Sequence, residues 1–580
     1  MLTSGRCLVA LLLGAATAAD PPTVTIPGMG SAFGALSDVV PTVAWFKGLP
    51  YAAPPTGALR FQPPSPPLPW GDAPRNATAF GNICMQRTTP GLPKYTGPQD
   101  EDCLLLNVFA PAAALPARGA ETEPSKLLPV MVWIHGGAYT EGCADEYEGA
   151  GLVRAAEEQA VVVTLNYRLN VFGFLGGAAL QAAAADGSAG NFGIADQRAA
   201  MAWVQQHIGA FGGDAAAVTI FGESAGGNSV INHLAQKASF TFYQRAMIES
   251  GAYSTGAFDA ATAEGAYADV LKRSKCADAA CLVGLSAKKL LDAATSLIPS
   301  ATGWGPVVDG VALTAAPTDL IAAGDYHAQA DVVLGSNRDE EAFFFILLHV
   351  PPDMGALDFD IALDMGAARY SPAEVKAVKA IYLNASSGYP YPPEGAATRG
   401  KYSAYWWAGM RAETDAVPGL GPCAVRWLAK LLLAGGTPNV WQYQFVHPTQ
   451  TDPYGGHVPG VGPGSVAVPH ASEIAFAFGD AEQLTPGAEA ELADSVAAYW
   501  TNFARNGDPN VGRAVPLQWP PYAAASDTSI RFDVNSSAPA PVGGSGTRQQ
   551  SWLRREACDF MEGRLKAGRV PREAMWRRAN

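Results

Sequence analysis

Residues 218–227 read VTIFGESAGG, and this stretch carries the strongest signal in the chain. Four apolar residues that suit a buried strand lead into the pentapeptide GESAG, and a helical pattern over 225–235 follows. In such a strand–turn–helix setting, G-x-S-x-G is typical of a nucleophilic serine on a tight turn, whose flanking glycines allow close backbone approach. The following helix also directs the positive end of its dipole at the turn, which favours developing negative charge. Ser224 is therefore the candidate nucleophile.

A glycine-rich loop follows another apolar run, at 130–134, and reads HGGAY over 135–139. A serine nucleophile needs backbone donors nearby, because its tetrahedral adduct carries a negatively charged oxygen. Glycines in this position allow backbone N–H groups to converge on a ligand. We therefore predict that the N–H groups of Gly137, Ala138 and Ala225 form an oxyanion hole. A plain Gly-Gly turn is the structural alternative for this loop.

Continuous apolar runs alternate with helical patterns along much of the chain. Such runs suit strands covered on both faces, and the alternation predicts an α/β fold with a mostly parallel central sheet flanked by helices on both faces. Gly and Pro are scattered between these runs, so residues 20–580 are predicted to form one domain. The predicted strands are 104–109, 130–134, 160–165, 218–221, 246–248 and 332–334, and the predicted helices include 193–207, 225–235, 372–380, 423–433 and 489–505.

Composition and charge exclude several functional classes. Of the 580 residues, 48% are hydrophobic and 16% are charged, which excludes disordered and fibrous proteins. The net charge is −14 and no basic run is interleaved with aromatics, so nucleic acid is not expected as a partner. Beyond the N-terminus, the strongest membrane-span candidate is residues 343–350, far short of the ~20 apolar residues that a span needs. No membrane span is expected.

The N-terminus has the pattern of a secretory signal. Arg6 is followed by an apolar stretch at 7–16, and small residues precede Asp20. This arrangement predicts a signal peptide over residues 1–19 and a secreted or lumenal product. Three Asn-x-Ser/Thr tripeptides are compatible with surface glycosylation, at Asn76, Asn384 and Asn535.

Seven cysteines remain once Cys7 is removed with the signal peptide. In an oxidising compartment, three disulfides and one odd thiol are the natural interpretation, although the spacing leaves the connectivity open. No pair has C-x₂-C spacing and no histidine pair accompanies the cysteines, so no metal centre is expected, and no cofactor either. The seven are Cys84, Cys103, Cys143, Cys276, Cys281, Cys423 and Cys558.

The general base must be one of the downstream histidines, since an α/β hydrolase carries its residues in the order Ser, acid, His. His470 is favoured because a proline fixes its loop just before an apolar stretch, with His457 as the main rival and His447 also available. The acid should follow the strand at 332–334, where Asp339-Glu340-Glu341 stand in a row. Spacing does not rank these three carboxylates, and a surface cluster is the alternative.

The chain resembles the type-B carboxylesterase and cholinesterase family of the α/β-hydrolase fold over nearly its whole mature length. The motifs that carry the resemblance are specific in combination: FKGLPYA at 46–52, EDCLLLN at 101–107, NYR at 166–168, GNFG at 190–193 and DQR at 196–198. The resemblance implies that Glu340 is the triad acid and His470 the base. It also implies structural ion pairs Arg60–Glu101 and Arg168–Asp196, and disulfides Cys84–Cys103, Cys276–Cys281 and Cys423–Cys558, with Cys143 left free.

Departures from the family pattern bear on the substrate. Cholinesterases hold a quaternary ammonium group against a tryptophan in the first disulfide loop, and residues 84–103 contain no tryptophan, which argues against choline esters. Ser300 and Thr302 stand where cholinesterases place aromatics, which indicates a roomier acyl site. Ala138 replaces a common glycine but keeps the backbone donor. Glu223, next to the nucleophile, has two open roles, in substrate charge preference or in structure alone.

The sequence thus predicts a serine carboxylesterase that uses no cofactor, acts on a small-molecule ester and has an unspecified oligomeric state. Two alternatives remain. A lipase-type esterase acting on acylglycerols would share every catalytic residue. A non-catalytic adhesion module similar to the neuroligins would have the same fold, but such relatives typically lose triad members, and here all three positions hold competent residues.

Overall fold

A computed structural model of the chain describes residues 20–87, 97–116, 127–252, 257–294, 303–365, 370–383, 402–450, 466–480, 483–534, 548–551 and 554–567. Several sequence predictions fall outside these residues. They are the signal peptide over 1–19, the rival base His457, the glycosylation tripeptides at Asn384 and Asn535, and the acyl-site residues Ser300 and Thr302.

The described strands form one large sheet and two small ones. The strands are β1 Thr23–Ile26, β2 Gly30–Phe33, β3 Ala35–Leu36, β4 Val43–Pro50, β5 Gly71–Asn76, β6 Ile83–Cys84, β7 Gln99–Asp100, β8 Leu105–Pro111, β9 Leu128–Ile134, β10 Val161–Leu165, β11 Gly213–Glu223, β12 Arg245–Glu249, β13 Asp331–Asn337, β14 Val440–Phe445, β15 Thr528–Phe532 and β16 Arg548–Ser551. The large sheet has eleven strands in the order β16-β15-β14-β13-β12-β11-β9-β10-β8-β4-β3. From β15 to β10 all neighbouring strands are parallel. The strands at the two edges of the sheet, β16 on one side and β8, β4 and β3 on the other, pair antiparallel. The predicted mostly parallel sheet is confirmed.

Helices cover both faces of this sheet. They are α1 Gly149–Ala155, α2 Asn170–Phe174, α3 Ala178–Ala183, α4 Phe192–His207, α5 Ala225–Ala235, α6 Ala260–Ser274, α7 Ala279–Val283, α8 Ala287–Ala293, α9 Pro317–Ala322, α10 Glu341–Leu347, α11 Ala356–Met365, α12 Pro372–Tyr382, α13 Ala404–Thr414, α14 Pro422–Gly435, α15 Ile474–Ala477, α16 Ala488–Asn506 and α17 Arg555–Lys566. Within the described residues, none of these helices combines the length and the apolar character that a bilayer crossing requires.

The alternation of side chains along the strands explains the two cores. In β9, Val130 and Val132 join the apolar cluster under α4, α5 and α14, whereas Met131 and Trp133 join the cluster under α1 and α16. Successive residues of a strand point to opposite faces, so a strand that is apolar throughout is buried by helices on both sides. A third cluster, formed by α10 to α13 and α17, lies beside the sheet.

Three disulfides stabilise this architecture, and they are the three that the family resemblance implies: Cys84–Cys103, Cys276–Cys281 and Cys423–Cys558. The last joins α14 to α17 across 135 positions. Cys143 is the free cysteine among the described residues, and burial raises the pKa of its thiol. Both implied ion pairs also form, with Arg60 and Arg168 each donating two hydrogen bonds to a carboxylate.

Every predicted strand exists. Five of the six are longer than predicted, whereas the strand predicted at 160–165 is one residue shorter and begins at Val161. The predicted strand 104–109 is β8, and it runs antiparallel to β10. Strand β14 escaped prediction because Gln442 and Gln444 interrupt its apolar character, although all six of its residues are buried. The apolar run at 343–350 forms most of α10, which directly follows the predicted acid.

Candidate active site

The backbone places Ser224 at the sharp turn between β11 and α5. Its φ of 56° and ψ of −120° lie in a region that L residues rarely adopt, and its N–H donates to the carbonyl of Glu249 at 2.9 Å. Gly226 explains why the turn needs glycine, because a Cβ on this residue would lie 1.9 Å from the carbonyl oxygen of Ile134. The turn therefore lies against the end of β9, where the glycine-rich loop begins. Such local strain is maintained only when the surrounding structure enforces it.

The glycine-rich loop lies directly beside this turn. Gly137, Ala138 and Tyr139 have φ values of 100°, 53° and 58°, so three successive residues are in the left-handed region. A Cβ on Gly136 would lie 3.1 Å from Ser224 Cβ, which shows how closely the loop approaches the serine. Ala225 is the first residue of α5, and the first N–H groups of a helix have no acceptor within it. The three predicted oxyanion donors thus lie on two elements that meet at Ser224.

The predicted acid and base contact each other. His470 Nδ1 donates to Glu340 Oε2 at 2.6 Å, and both side chains are buried. Two further donors hold the other carboxylate oxygen of Glu340, namely the backbone N–H of Asn337 and the hydroxyl of Ser250, each at 2.6 Å. With Nδ1 occupied as a donor, Nε2 is the ring nitrogen that can accept a proton.

The two neighbours of Glu340 have different partners. Asp339 binds Arg338 at 2.8 Å and lies 3.5 Å from Arg411. Burial alone would raise the pKa of Asp339, but the surrounding guanidinium groups outweigh it and lower that pKa. Glu341 begins α10, and its N–H donates to the hydroxyl of Thr414. Of the three consecutive carboxylates, Glu340 is the one that binds His470.

Reciprocal hydrogen bonds join the acid-bearing turn to the loop that carries the base. The N–H of Asp339 donates to the carbonyl of Val468 at 2.9 Å, and the N–H of Val468 donates to the Asp339 carboxylate at 3.2 Å. The N–H of His470 donates to the carbonyl of Glu340 at 3.3 Å, and the guanidinium of Arg338 donates to the carbonyl of Val466. These bonds fix the position of His470 although its loop has no strand of its own.

Glu223 lies between the nucleophile turn and the base. Its carboxylate Oε1 is 3.1 Å from His470 Nε2, and its Oε2 is 2.9 Å from the position that a Cβ on Gly136 would take. Burial raises the pKa of Glu223 to about 8. Burial would lower the pKa of His470, but the carboxylates of Glu223 and Glu340 outweigh it and raise that pKa to about 9. These contacts indicate a role that differs from both roles open from the sequence, namely an influence on the charge of His470.

Two more buried carboxylates, Glu473 and Glu249, lie beside this pair, and neither had a role predicted from the sequence. Glu473 accepts from Asn337 Nδ2 at 2.5 Å and from the Ser250 hydroxyl at 3.3 Å, and burial raises its pKa to about 7. Glu249 accepts from the indole of Trp500 at 2.8 Å, and burial raises its pKa well above the usual range. Glu473 follows His470 by three positions, which is a usable sequence signal, whereas nothing in the local sequence marks Glu249.

Aromatic rings of α10 form an apolar wall beside the base. The ring centroids of Phe344 and Phe343 lie 5.4 Å and 6.3 Å from that of His470. Phe344 is half-buried, so part of its ring remains accessible. His447, the other described candidate for the base, instead pairs with Glu489 at 2.9 Å. Among the described residues there is no group of three or more metal-ligating side chains suited to hold an ion.

Comparisons with known proteins identify a family for this chain. The model of the carboxylesterase family matches residues 20–561. Among curated relatives, a para-nitrobenzyl esterase of Bacillus subtilis (strain 168) is 34% identical over 509 residues, which cover 84% of this chain and 91% of that protein. An acylcarnitine hydrolase of Mus musculus is 32% identical over 509 residues, covering 84% and 82%.

A solved structure of similar shape is the carboxylesterase of Geobacillus stearothermophilus. It superposes with a TM-score of 0.73 at 27% identity, and the match covers 93% of this chain and all of that one. Its fold and the family match bear out the α/β-hydrolase prediction. The chain belongs to the carboxylesterase family and is a carboxylic ester hydrolase.

Proposed function

We propose that Ser224, His470 and Glu340 are the catalytic triad of this esterase, and that the N–H groups of Gly137, Ala138 and Ala225 bind the oxyanion. The observation that carries the proposal is the 2.6 Å hydrogen bond from His470 Nδ1 to the buried Glu340 carboxylate. This bond fixes the imidazole so that Nε2 lies towards Glu223, the residue that directly precedes Ser224. A nucleophile, a base and an orienting acid are the three parts that acyl transfer to serine requires.

In the first half-reaction, Ser224 Oγ bonds to the acyl carbon while its proton moves to His470 Nε2. The electron pair of the C=O double bond moves onto the carbonyl oxygen, where the backbone donors stabilise the negative charge. The bond to the alcohol oxygen then breaks, and His470 returns the proton to the departing alcohol. In the second half-reaction, water attacks the acyl-enzyme in the same manner and releases the acid. Glu340 remains ionised and stabilises the imidazolium throughout.

Labelling and burst kinetics test the nucleophile. A fluorophosphonate probe should modify the peptide that carries Ser224, and a p-nitrophenyl ester should give a burst of p-nitrophenol equal to the enzyme concentration. Ser224→Ala should abolish both signals while thermal stability stays near that of the parent. Ser495→Ala, which removes a hydroxyl on the outer face of α16, is the matched control and should keep both. Labelling of Ser224→Ala at an undiminished rate would overturn the triad.

The same site supports a preference for esters whose alcohol part is apolar and uncharged. The rings of Phe343 and Phe344 stand beside His470, and the first disulfide loop has no tryptophan to bind a quaternary ammonium group. Glu223 already pairs with His470 Nε2 at 3.1 Å, so its carboxylate is engaged by the base. The site therefore offers a cation little compensation for its lost hydration.

A pair of isosteric substrates tests this preference. Butyrylthiocholine and 3,3-dimethylbutyl thiobutyrate have the same shape and differ only in the charged nitrogen. We expect kcat/KM at pH 7 to be about tenfold or more higher for the neutral ester, the discrimination that 1.4 kcal/mol of differential binding gives. Phe344→Ala should reduce the advantage. An equal or greater kcat/KM for butyrylthiocholine would contradict the proposed substrate class and leave the triad untouched.

We also propose that the mature enzyme is a single domain, residues 20–580, that is secreted or resides in the lumen of the secretory pathway. The three disulfides support this compartment, because disulfides persist in oxidising environments. Asn76 is exposed, and its side-chain oxygen accepts from the hydroxyl of Thr78 at 2.7 Å, so the tripeptide is accessible for glycosylation. N-terminal sequencing of protein from the producing cells should begin at Asp20. An intact Met1 would contradict export.

A further inference from the structure

The hydroxyl of Tyr139 makes an interaction that the catalytic scheme does not use. Tyr139 directly follows Ala138 in the glycine-rich loop and is fully buried. Its hydroxyl donates to Asn228 Oδ1 at 2.9 Å, and the hydroxyl of Ser229 lies 3.2 Å from the same phenolic oxygen. Burial raises the pKa of Tyr139, so the phenol remains protonated and acts as a donor.

The partners of this hydroxyl belong to the element that carries the nucleophile. Asn228 and Ser229 lie in the first turns of α5, and the N–H of Asn228 donates to the carbonyl of Ser224 at 2.8 Å. The hydrogen bond of Tyr139 therefore joins the glycine-rich loop to the helix that begins beside the nucleophile. It spans 89 positions of the chain and is entirely buried.

Such a link matters because the donors of the oxyanion hole come from both elements. Gly137 and Ala138 belong to the loop, and Ala225 belongs to α5. Donors must lie about 2.7–3.1 Å from the developing oxyanion, so a small shift of one element against the other weakens the whole set. The loop is also strained, because Ala138 and Tyr139 are non-glycine residues at positive φ, and it needs outside contacts to keep that conformation.

The ring of Tyr139 and its hydroxyl have separable roles. The ring lies 4.7 Å from that of Phe174, and the backbone carbonyl of Tyr139 accepts from the N–H of Asn170 at 2.7 Å. Both contacts survive if tyrosine is replaced by phenylalanine. The hydroxyl adds only the tie to α5, so a single oxygen atom can be removed to test that tie alone.

We propose that Tyr139 is a positioning residue for the oxyanion hole: its hydrogen bond to Asn228 fixes the donors of the loop in register with the donor of α5. The proposal rests on the proposed function, because it assumes that Gly137, Ala138 and Ala225 bind the oxyanion. Tyr139 acts through these donors and does not touch the substrate.

The test compares Tyr139→Phe with Tyr499→Phe. Tyr499 is also buried, and its hydroxyl donates a part-buried hydrogen bond to the carbonyl of Leu517 at 2.6 Å, but it lies on α16 outside the site. We expect Tyr139→Phe to lower kcat/KM for a p-nitrophenyl ester about tenfold, below the 10²–10³-fold loss that follows removal of a donor itself. KM should change less than twofold. Tyr499→Phe should keep kcat/KM within twofold of the parent, with a similar shift in thermal midpoint.

A transition-state analogue separates positioning from a general structural effect. A trifluoromethyl ketone accepts the serine oxygen at its carbonyl carbon and leaves a negative oxygen in the oxyanion hole. Its inhibition constant should rise in Tyr139→Phe by the same factor as kcat/KM falls. Unchanged inhibition, unchanged kcat/KM, or a Tyr139→Phe enzyme that is not recovered folded would each overturn the positioning role. None of these results bears on Ser224, whose labelling tests the proposed function separately.

A double-mutant cycle checks the partner. Asn228→Ala removes the acceptor, so adding Tyr139→Phe to it should cost less than twofold in kcat/KM, whereas Tyr139→Phe alone costs about tenfold. Losses that multiply across the two substitutions would show that the hydroxyl and Asn228 act independently, which contradicts the proposed tie.

Discussion

Replacement of Glu223 by glutamine should move the pH dependence of the esterase to lower pH. The substitution keeps the shape of the side chain and removes the carboxylate whose oxygen lies 3.1 Å from His470 Nε2. In the parent enzyme, Glu223 and Glu340 outweigh the effect of burial and raise the pKa of His470 to about 9. His470 accepts a proton only when it is neutral, so kcat/KM of the parent rises with pH through neutrality. Loss of one carboxylate lowers the pKa of His470 and brings this rise to lower pH.

The distance sets the size of the shift. Two unit charges 3.1 Å apart attract by ~5 kcal/mol at an effective dielectric constant of 20, which corresponds to about four pKa units. This is an upper bound, because burial raises the pKa of Glu223 itself to about 8, so Glu223 holds a proton over part of the range. The two groups then titrate as a pair with shared apparent pKa values. We expect the acidic limb of kcat/KM to move down by about one to three units.

Stopped-flow measurement of kcat/KM for an uncharged p-nitrophenyl ester between pH 5 and pH 10 gives the two profiles. Glu489→Gln is the matched control, because Glu489 also binds a histidine, His447, at 2.9 Å but lies outside the site. Its profile should coincide with that of the parent. A Glu223→Gln limb at the same pH as the parent, or at higher pH, would refute the electrostatic account of this pair.

Three further predictions concern the turn, the disulfides and the loop that carries the base. Gly226→Ala places a Cβ 1.9 Å from a backbone oxygen and should lower the free energy of unfolding in urea by about 3 kcal/mol or more. The control is Gly209→Ala, whose Cβ meets no atom within 4 Å and which should change stability by less than about 0.5 kcal/mol. Equal effects of the two substitutions would contradict the close approach at the turn. Replacing both cysteines of Cys423–Cys558 by serine should lower the free energy of unfolding by roughly 5 kcal/mol, and the same change at Cys276–Cys281 by roughly 2 kcal/mol. The reason is that the first disulfide closes a loop of 135 positions and the second a loop of 5. Calorimetry that gives the reverse order would contradict this loop argument. Asp339→Asn weakens the contacts of this side chain with Val468 and Arg338, so the loop that carries the base should become less well positioned. We expect kcat to fall at least tenfold and KM to change less. An unaltered kcat would show that other contacts hold this loop.

Local patterns were sufficient for the sheet and for the nucleophile. Buried strands such as β9 and β10 are apolar throughout because helices cover both faces, so their amino-acid sequences alone identify them as strands. The turn at Ser224 is equally local, because its strand, pentapeptide and helix follow one another directly in the sequence. Strand β14 escaped because its two glutamines are buried by tertiary contacts that no local pattern encodes.

The acid and the base needed more than pattern. Three consecutive carboxylates stand after β13, and their spacing is uninformative because the turn directs Asp339 towards arginines and Glu340 towards a histidine 130 positions away. Family resemblance supplied that choice. The link from Ser250 to Glu473 spans 223 positions and the link from Tyr139 to Asn228 spans 89, so both depend on how the strands are ordered in the sheet. Only the folded chain shows such contacts.

A crystal structure of the enzyme inactivated by diethyl 4-nitrophenyl phosphate would show whether the proposed triad and oxyanion hole act together. We expect phosphorus bonded to Ser224 Oγ, a phosphoryl oxygen about 2.7–3.1 Å from the backbone nitrogens of Gly137, Ala138 and Ala225, and His470 Nε2 within hydrogen-bonding distance of the serine oxygen. An adduct on another residue, or one on Ser224 whose phosphoryl oxygen lies away from these nitrogens and from His470, would contradict this proposal.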